Sequence, residues 1–224
     1  NLINLLPKFF RKRLKKKFNL YYVPTSLKYL PDLNYPILHS YDQQKEYLEN
    51  FKLTNKQKSF MTYDRLISLL KSLFKRDGEF SFLDIGGQDI DFYLSLKKEF
   101  KNVKYYIFNK NEILINLDKL KNEYSLDDFN IIFNESDLYN NSYEFVNFGS
   151  SIHYFKNYLD VTKNIISVSK KYILFSGTHF YNSQINNFKK HIIVKQINML
   201  PLVFYFFFFN RDQFINFFLN KGFS

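Results

Sequence analysis

The segment Phe82-Leu83-Asp84-Ile85-Gly86-Gly87-Gln88-Asp89 constrains the fold more than any other part of the chain. An apolar stretch runs into an acidic residue, then into two glycines, then into a helical pattern. The alternation continues on schedule from there. Phe80–Ile85 reads as a strand, Asp89–Phe100 as a helix, Val103–Phe108 as the next strand and Asn111–Tyr124 as its helix. Phe129–Phe133 is a short strand, Glu144–Gly149 another, and a helix near Tyr158–Lys170 leads into a strand at Tyr172–Ser176. Strands separated by helical stretches of this length imply parallel pairing with right-handed crossovers. The expected class is therefore α/β, a mostly parallel central sheet flanked by helices.

Around this core the pattern changes. Apolar residues at Leu2, Leu5, Leu6, Phe9, Phe10, Leu14 and Phe18, with basic residues between them, suit an amphipathic helix over Leu2–Leu20, with Pro7 near its first turn. Pro24, Pro31 and Pro36 make residues 21–40 loop or extended connection. Helices follow around Gln43–Lys52 and Tyr63–Lys75, the second closed by Asp77-Gly78. Beyond the core lie an extended run at His191–Ile197, the aromatic run Met199–Phe209 and a helix near Asp212–Leu219. The organisation expected is a helix and linker at 1–40 and one domain at 41–224, divided into a helical preface (41–78), a core (79–180) and a C-terminal part (181–224). A chain that starts without Met and stops at Lys221-Gly-Phe-Ser just after a helix reads as a fragment, with a final strand missing.

Composition narrows the chemistry. There is no cysteine, so disulfides and thiolate metal sites are excluded. The histidines at 39, 153, 179 and 191 form no HExxH or HxH motif, and no protein-bound metal is expected. No apolar run is long enough to span a bilayer. The excess of Lys, Asn, Phe, Ile and Tyr follows A/T-rich codons, which lowers the weight of any single Lys cluster or Phe run. Of the formal net charge of +11, residues 1–31 hold +8, leaving +3 for everything after. The body is nearly balanced, so no nucleic-acid footprint runs through the domain and no nucleic acid is expected as a partner.

The turn after the first core strand carries the ligand expectation. In a parallel sheet it lies at the carboxyl edge, where ligands bind. Glycine lets backbone approach a ligand, and the helix start offers unpaired N–H groups. The GxGxxG spacing of a nicotinamide site is absent. An Asp two residues before the first Gly is similar instead to the D/E-x-G-x-G turn of class I methyltransferases, with Gln88 in place of the second glycine of that pattern. The alternative is an ordinary strand–turn–helix. After the fourth core strand, Gly149-Ser150-Ser151-Ile152-His153-Tyr154 offers His153 as a residue titratable near neutral pH, either a base or a packed ring.

Further segments resemble a family of class I methyltransferases of bacterial surface-polysaccharide and O-antigen-type gene clusters. FGSSIHYF (148–155) is similar to the family's SSxLQY stretch, ILFSGTHF (173–180) stands in the place of an IIIDRTPF-like stretch, and Val194-Lys195-Gln196 with YFFFFNRDQFINFF (205–218) is similar to its ending. The chain departs from that pattern at Ser176-Gly177 (Asp-Arg in the family), His179 and Phe206 (Pro), and Asn109 (Glu). The resemblance implies a Rossmann-like fold, S-adenosylmethionine (SAM) as cofactor, and methylation of a glycan or glycan precursor. It implies that Asp84, Gly86, Gly87 and Gln88 shape the cofactor turn and that Asn109 stands at the ribose position, where a plain turn residue is the alternative. Ser136 and Asp137 stand toward adenine, with a helix cap or Asx-turn as the alternative, and Ser150–Tyr154 stands toward the acceptor. The rival reading is a catalytically inactive methyltransferase-like scaffold domain.

Seven Lys/Arg within Lys8–Lys17, interleaved with Leu and Phe, suit an interfacial helix on anionic lipid, or alternatively a solvated arm. The expected setting is cytoplasmic and peripheral at the inner membrane, with a small-molecule or lipid-linked sugar acceptor.

Overall fold

The computed structural model describes residues 22–25, 41–54, 61–182, 191–199 and 202–223. The helix expected at Leu2–Leu20 lies outside the described residues. The chain divides into two compact units, one of Ile37–Ile152 and Leu159–Gly177, the other of Asn1–Pro36, His153–Tyr158 and Thr178–Ser224.

The first unit is built on five strands: β2 (Phe80–Ile85), β3 (Val103–Phe108), β4 (Phe129–Ile132), β5 (Tyr143–Gly149) and β6 (Ser169–Ser176). All four ladders are parallel and the order is β4-β3-β2-β5-β6. Its helices are α1 (Tyr41–Thr54), α2 (Met61–Leu73), α3 (Ile90–Glu99), α4 (Asn111–Tyr124) and α5 (Tyr158–Val168). The expected strands and helices are present, with ends shifted by up to three residues. The preface helices pack on the core: α1 contacts α3 and α4, and α2 contacts α3.

Strand alternation explains the core. In β2 every residue is buried, as a central parallel strand requires. Phe145, Phe82, Tyr105 and Phe129 occupy one rung across β5, β2, β3 and β4. Their rings stack in sequence, 5.2, 5.7 and 5.5 Å between centroids and within 12° of parallel. Aromatic neighbours on one sheet face each add roughly 0.5–1.5 kcal/mol beyond the area they bury. This ladder also fixes where the Tyr105 hydroxyl ends.

The second unit holds β1 (Tyr22–Thr25), β7 (Phe180–Tyr181), β8 (Ile192–Met199), β9 (Leu202–Asn210) and α6 (Arg211–Leu219). Its strand order is β1-β8-β9-β7, antiparallel except for β7 with β9. One segment departs from expectation. Tyr22–Thr25, read as connection, pairs with Ile193–Gln196, and its Pro24 is tolerated because β1 is an edge strand. The aromatic run forms β9, in which Phe206 and Phe209 are fully buried. Asn210 ends β9 and caps α6, accepting from Gln213 N–H at 3.1 Å.

Candidate functional site

Strand order reverses about β2, which has β3 on one side and β5 on the other. The carboxyl edge there is the switch point at which open parallel sheets bind ligands.

Asp84 is the penultimate residue of β2 and faces the same side as Tyr105 and Asn147. Its Oδ2 accepts from the Tyr105 hydroxyl at 2.8 Å and its Oδ1 from Asn147 Nδ2 at 2.9 Å. Burial pushes its carboxyl up to about 6, against the opposing pull of these two hydrogen bonds. Tyr105, buried beside that carboxylate, is raised well above its ordinary value, first by burial and then by Asp84.

Gly86 takes φ +88°, a conformation that L side chains rarely adopt, and donates its N–H to Phe108 O at 2.8 Å. The ends of β2 and β3 are thereby tied together. Gly87 is required for a different reason: a Cβ there would lie 2.4 Å from Asp84 Oδ2 and 3.1 Å from Ile107 Cδ1. Gln88 is half-buried in the turn. Asp89 caps α3, accepting from Phe92 N–H at 3.3 Å, and also accepts from the Tyr63 hydroxyl of α2. A preface helix thus braces the turn, although the 26 residues between Tyr63 and Asp89 give no sequence hint of it.

Asn109 follows β3 and is almost fully buried. Its Nδ2 donates to Gly87 O at 2.6 Å and its Oδ1 accepts from Lys110 N–H at 2.7 Å. The side chain therefore clamps the two turns together. Ser136 and Asp137 lie in a short 3-10 helix, Glu135–Asn140, where Ser136 is exposed and Asp137 accepts from Asn134 Nδ2 at 3.0 Å. Ser150 is exposed, takes φ +54° and donates its N–H to Ser176 O at 2.7 Å, closing the β5–β6 edge. Gly177 beside it has φ +61°, and a Cβ there would overlap Ser150 Oγ. The carboxyl ends of β2 and β3, and those of β5 and β6, are thus joined pairwise by backbone bonds, with Gly87, Gln88, Gly149 and Lys110 partly open to solvent and Ser150 exposed.

In the other unit His153 is 1% exposed, its ring 4.7 Å from that of His179 and 5.3 Å from that of Phe206. Burial, then His179, lowers it to about 3, so its imidazole is neutral at physiological pH. Its Nδ1 is buried without a hydrogen-bond partner. Among the described residues no group of His, Asp or Glu could hold a metal ion.

Two features of the turn bear on a SAM-type cofactor. The turn has the backbone freedom such a ligand needs, in Gly86 and Gly87, and Asn147 Oδ1 is a buried acceptor with no partner. The residues fit the group at its amino-acid end. At the ribose position Asn109 brings no charge and is already bonded to backbone at both ends.

Sequence reading did not single out Asn147, Tyr105 or Tyr63. The available signal was a polar residue, Asn147, inside the apolar strand Phe145–Phe148, whose parity puts it beside the strand-end acid.

No protein-family model and no curated protein sequence matches the chain. Among solved structures it is similar to a chain from Galdieria sulphuraria assigned as a sarcosine dimethylglycine methyltransferase (19% identity over 49% of this chain and 43% of that one, TM-score 0.42). It is similar also to the N-terminal domain of EvdMO1 with S-adenosylhomocysteine (SAH) bound (11% identity, 70% and 69%, TM-score 0.48). A third is coclaurine N-methyltransferase bound to N-methylheliamine and SAH (15% identity, 75% and 57%, TM-score 0.43). The chain spans 43% and 57% of the lengths of the first and third of these. Strand order, parallel pairing and the acid–glycine turn at the switch point give the first unit a Rossmann-like fold.

Proposed function

We propose that the chain is a SAM-dependent methyltransferase acting on an oxygen or nitrogen of a glycan or glycan precursor. The observation that carries the reading is the Asp84–Gly86–Gly87 turn at the switch point. There a buried carboxylate, a positive-φ glycine and a glycine that cannot carry a side chain converge. Bound SAM would supply an activated methyl group on its sulfonium sulfur. Gly86, Gly87 and Gln88 would hold its amino-acid end, Asn109 would position the ribose-side loop through Gly87 O, and Ser136 and Asp137 would face the nucleobase. Ser150 would stand toward the acceptor. The glycan acceptor comes from the sequence resemblance, and a lipid-linked precursor fits the basic segment 1–20, which would rest on an anionic membrane. Among the described residues no helix is long and apolar enough to cross one.

His153, expected from the sequence as a candidate base, belongs to the second unit. An imidazole lowered to about 3 is a weak proton acceptor, so the reaction would draw chiefly on positioning. The second reading, a catalytically inactive scaffold, has one observation in its favour: Asn109, where an acid would grip ribose, carries no charge and is bonded to Gly87 O and Lys110 N–H.

Calorimetric titration with SAM and SAH separates the two. Saturable binding by the wild type, lost in Gly86→Val, supports the enzyme. The β-branched residue at φ +88° would distort the turn. Absence of binding into the millimolar range supports the scaffold.

A further inference from the structure

His153, His179 and His191 all fall in the second unit, and the stretches of chain that compose that unit hold only two carboxylates, Asp32 and Asp212. All three histidines pack around β9. On one face the ring of His153 lies 4.7 Å from that of His179, and the two lie 5.3 and 4.9 Å from Phe206. Tyr154 and Phe208 complete this group, and Ile192 and Val194 of β8 share the face as ladder partners of Phe208 and Phe206. His153 is buried, and its Nδ1 has no hydrogen-bond partner. On the other face His191 packs against Tyr158 and Phe209. Its Nδ1 accepts from Asn210 N–H at 2.8 Å, tying the start of β8 to the end of β9. Among the described residues of the unit the charged groups besides histidine are Lys156, Arg211, Asp212 and Lys221, all exposed, and Lys195, whose ammonium lies over the Tyr205 ring on the face away from Phe206.

We propose that these three histidines form an acid-sensitive lock on the second unit: each must stay neutral for β9 to remain packed, and their protonation loosens that unit while the first stays folded. Protonating His153 or His179 puts an imidazolium among phenylalanine rings and beside the other histidine, with no described carboxylate there to pair with it. Protonating His191 at Nδ1 fills the lone pair that accepts from Asn210, so the bond between β8 and the end of β9 is lost. Burial lowers all three, with His179 adding to the effect at His153. Histidines lowered in the folded state contribute stability that is fully present above about pH 6.5 and is lost as pH falls below it. Asp84 in the first unit has the opposite sign, because burial raises its carboxyl, so the two units diverge on acidification. The proposal stands independently of the cofactor reading.

Amide hydrogen exchange of the full chain, read by mass spectrometry and corrected for the intrinsic pH dependence of exchange, follows the opening of each unit at pH 7 and pH 5. With His153 held at about 3 against 6.5 when unfolded, its protonation alone lowers the protection of β9 by about 25-fold between those pH values. Protection of β2 and β3 changes far less. His153→Phe keeps a ring in the cluster and removes about tenfold or more of the loss. His191→Asn, whose amide oxygen takes the Asn210 N–H without titrating, reduces the loss as well. Wild-type protection of β9 that stays within about twofold between pH 7 and pH 5 overturns the proposal, and this comparison needs no variant. So does a loss of equal size in the wild type and both variants, or one shared equally by β2.

Discussion

Gly87→Ala is the substitution whose cost the structure fixes most directly. Gly87 does not have positive φ, so alanine brings no backbone strain, and in an open site it would stabilise by about 0.4–1 kcal/mol through the unfolded state. The new methyl instead lands 2.4 Å from Asp84 Oδ2 and 2.8 Å from its Cγ. That carboxylate cannot simply swing away, because Tyr105 holds it at 2.8 Å and Asn147 at 2.9 Å. Displacing it sacrifices two buried hydrogen bonds to an ionisable group, nominally about 1.5–3 kcal/mol each. With partial relaxation and the unfolded-state gain, the expected net loss is about 2–4 kcal/mol. Urea unfolding measures it as a lower midpoint at unchanged slope. In an Asp84→Ala background the clash is gone, so the same substitution should cost under about 1 kcal/mol, a coupling of about 2 kcal/mol or more. A neutral Gly87→Ala, or an equal cost in both backgrounds, would refute the geometry of the turn.

Four further outcomes follow from the buried groups and the basic end. Tyr105→Phe should cost about 1–3 kcal/mol and raise the Asp84 carboxyl further, read by NMR titration; an unchanged titration would contradict the hydrogen bond. His153 is held at about 3 against 6.5 when unfolded, so its contribution is fully present above about pH 6.5. It is lost on acidification toward 3, at up to about 1.4 kcal/mol per pH unit. Asp84 has the opposite sign: raised from 3.8 to about 6, it gives the fold an extra proton between those values, so stability from this group rises as pH falls. Asp84→Asn should therefore steepen the loss of stability between pH 6 and 4, and parallel stability–pH curves for the two proteins would sink that account. Deleting residues 1–20 should abolish sedimentation with anionic liposomes, since each Lys or Arg near such a surface contributes about 1 kcal/mol; equal pelleting removes the membrane proposal.

What the sequence made legible was local. The strand Phe80–Ile85, its glycine turn and the regular spacing of the strands that follow are written in apolar periodicity and breakers, and the parallel sheet follows from them. What it concealed was contact between distant residues. Tyr105 and Asn147 reach Asp84 from 21 and 63 residues away. Tyr22–Thr25 becomes a strand only because Ile193–Gln196 lies beside it, overriding the local signal of Pro24. Ser136-Asp137 and Asn109 were identifiable as turn residues, yet whether their side chains face a ligand or the backbone is a tertiary matter. The burial of His153, likewise, has no local signature, because it depends on His179 and Phe206.

A crystal structure grown with saturating SAH tests the central claim most directly. The account predicts the amino-acid end of the ligand against Gly86 and Gly87 at the junction of β2 and β5. Ligand bound elsewhere, or a β2–β5 corner unchanged and empty at saturation, would contradict it.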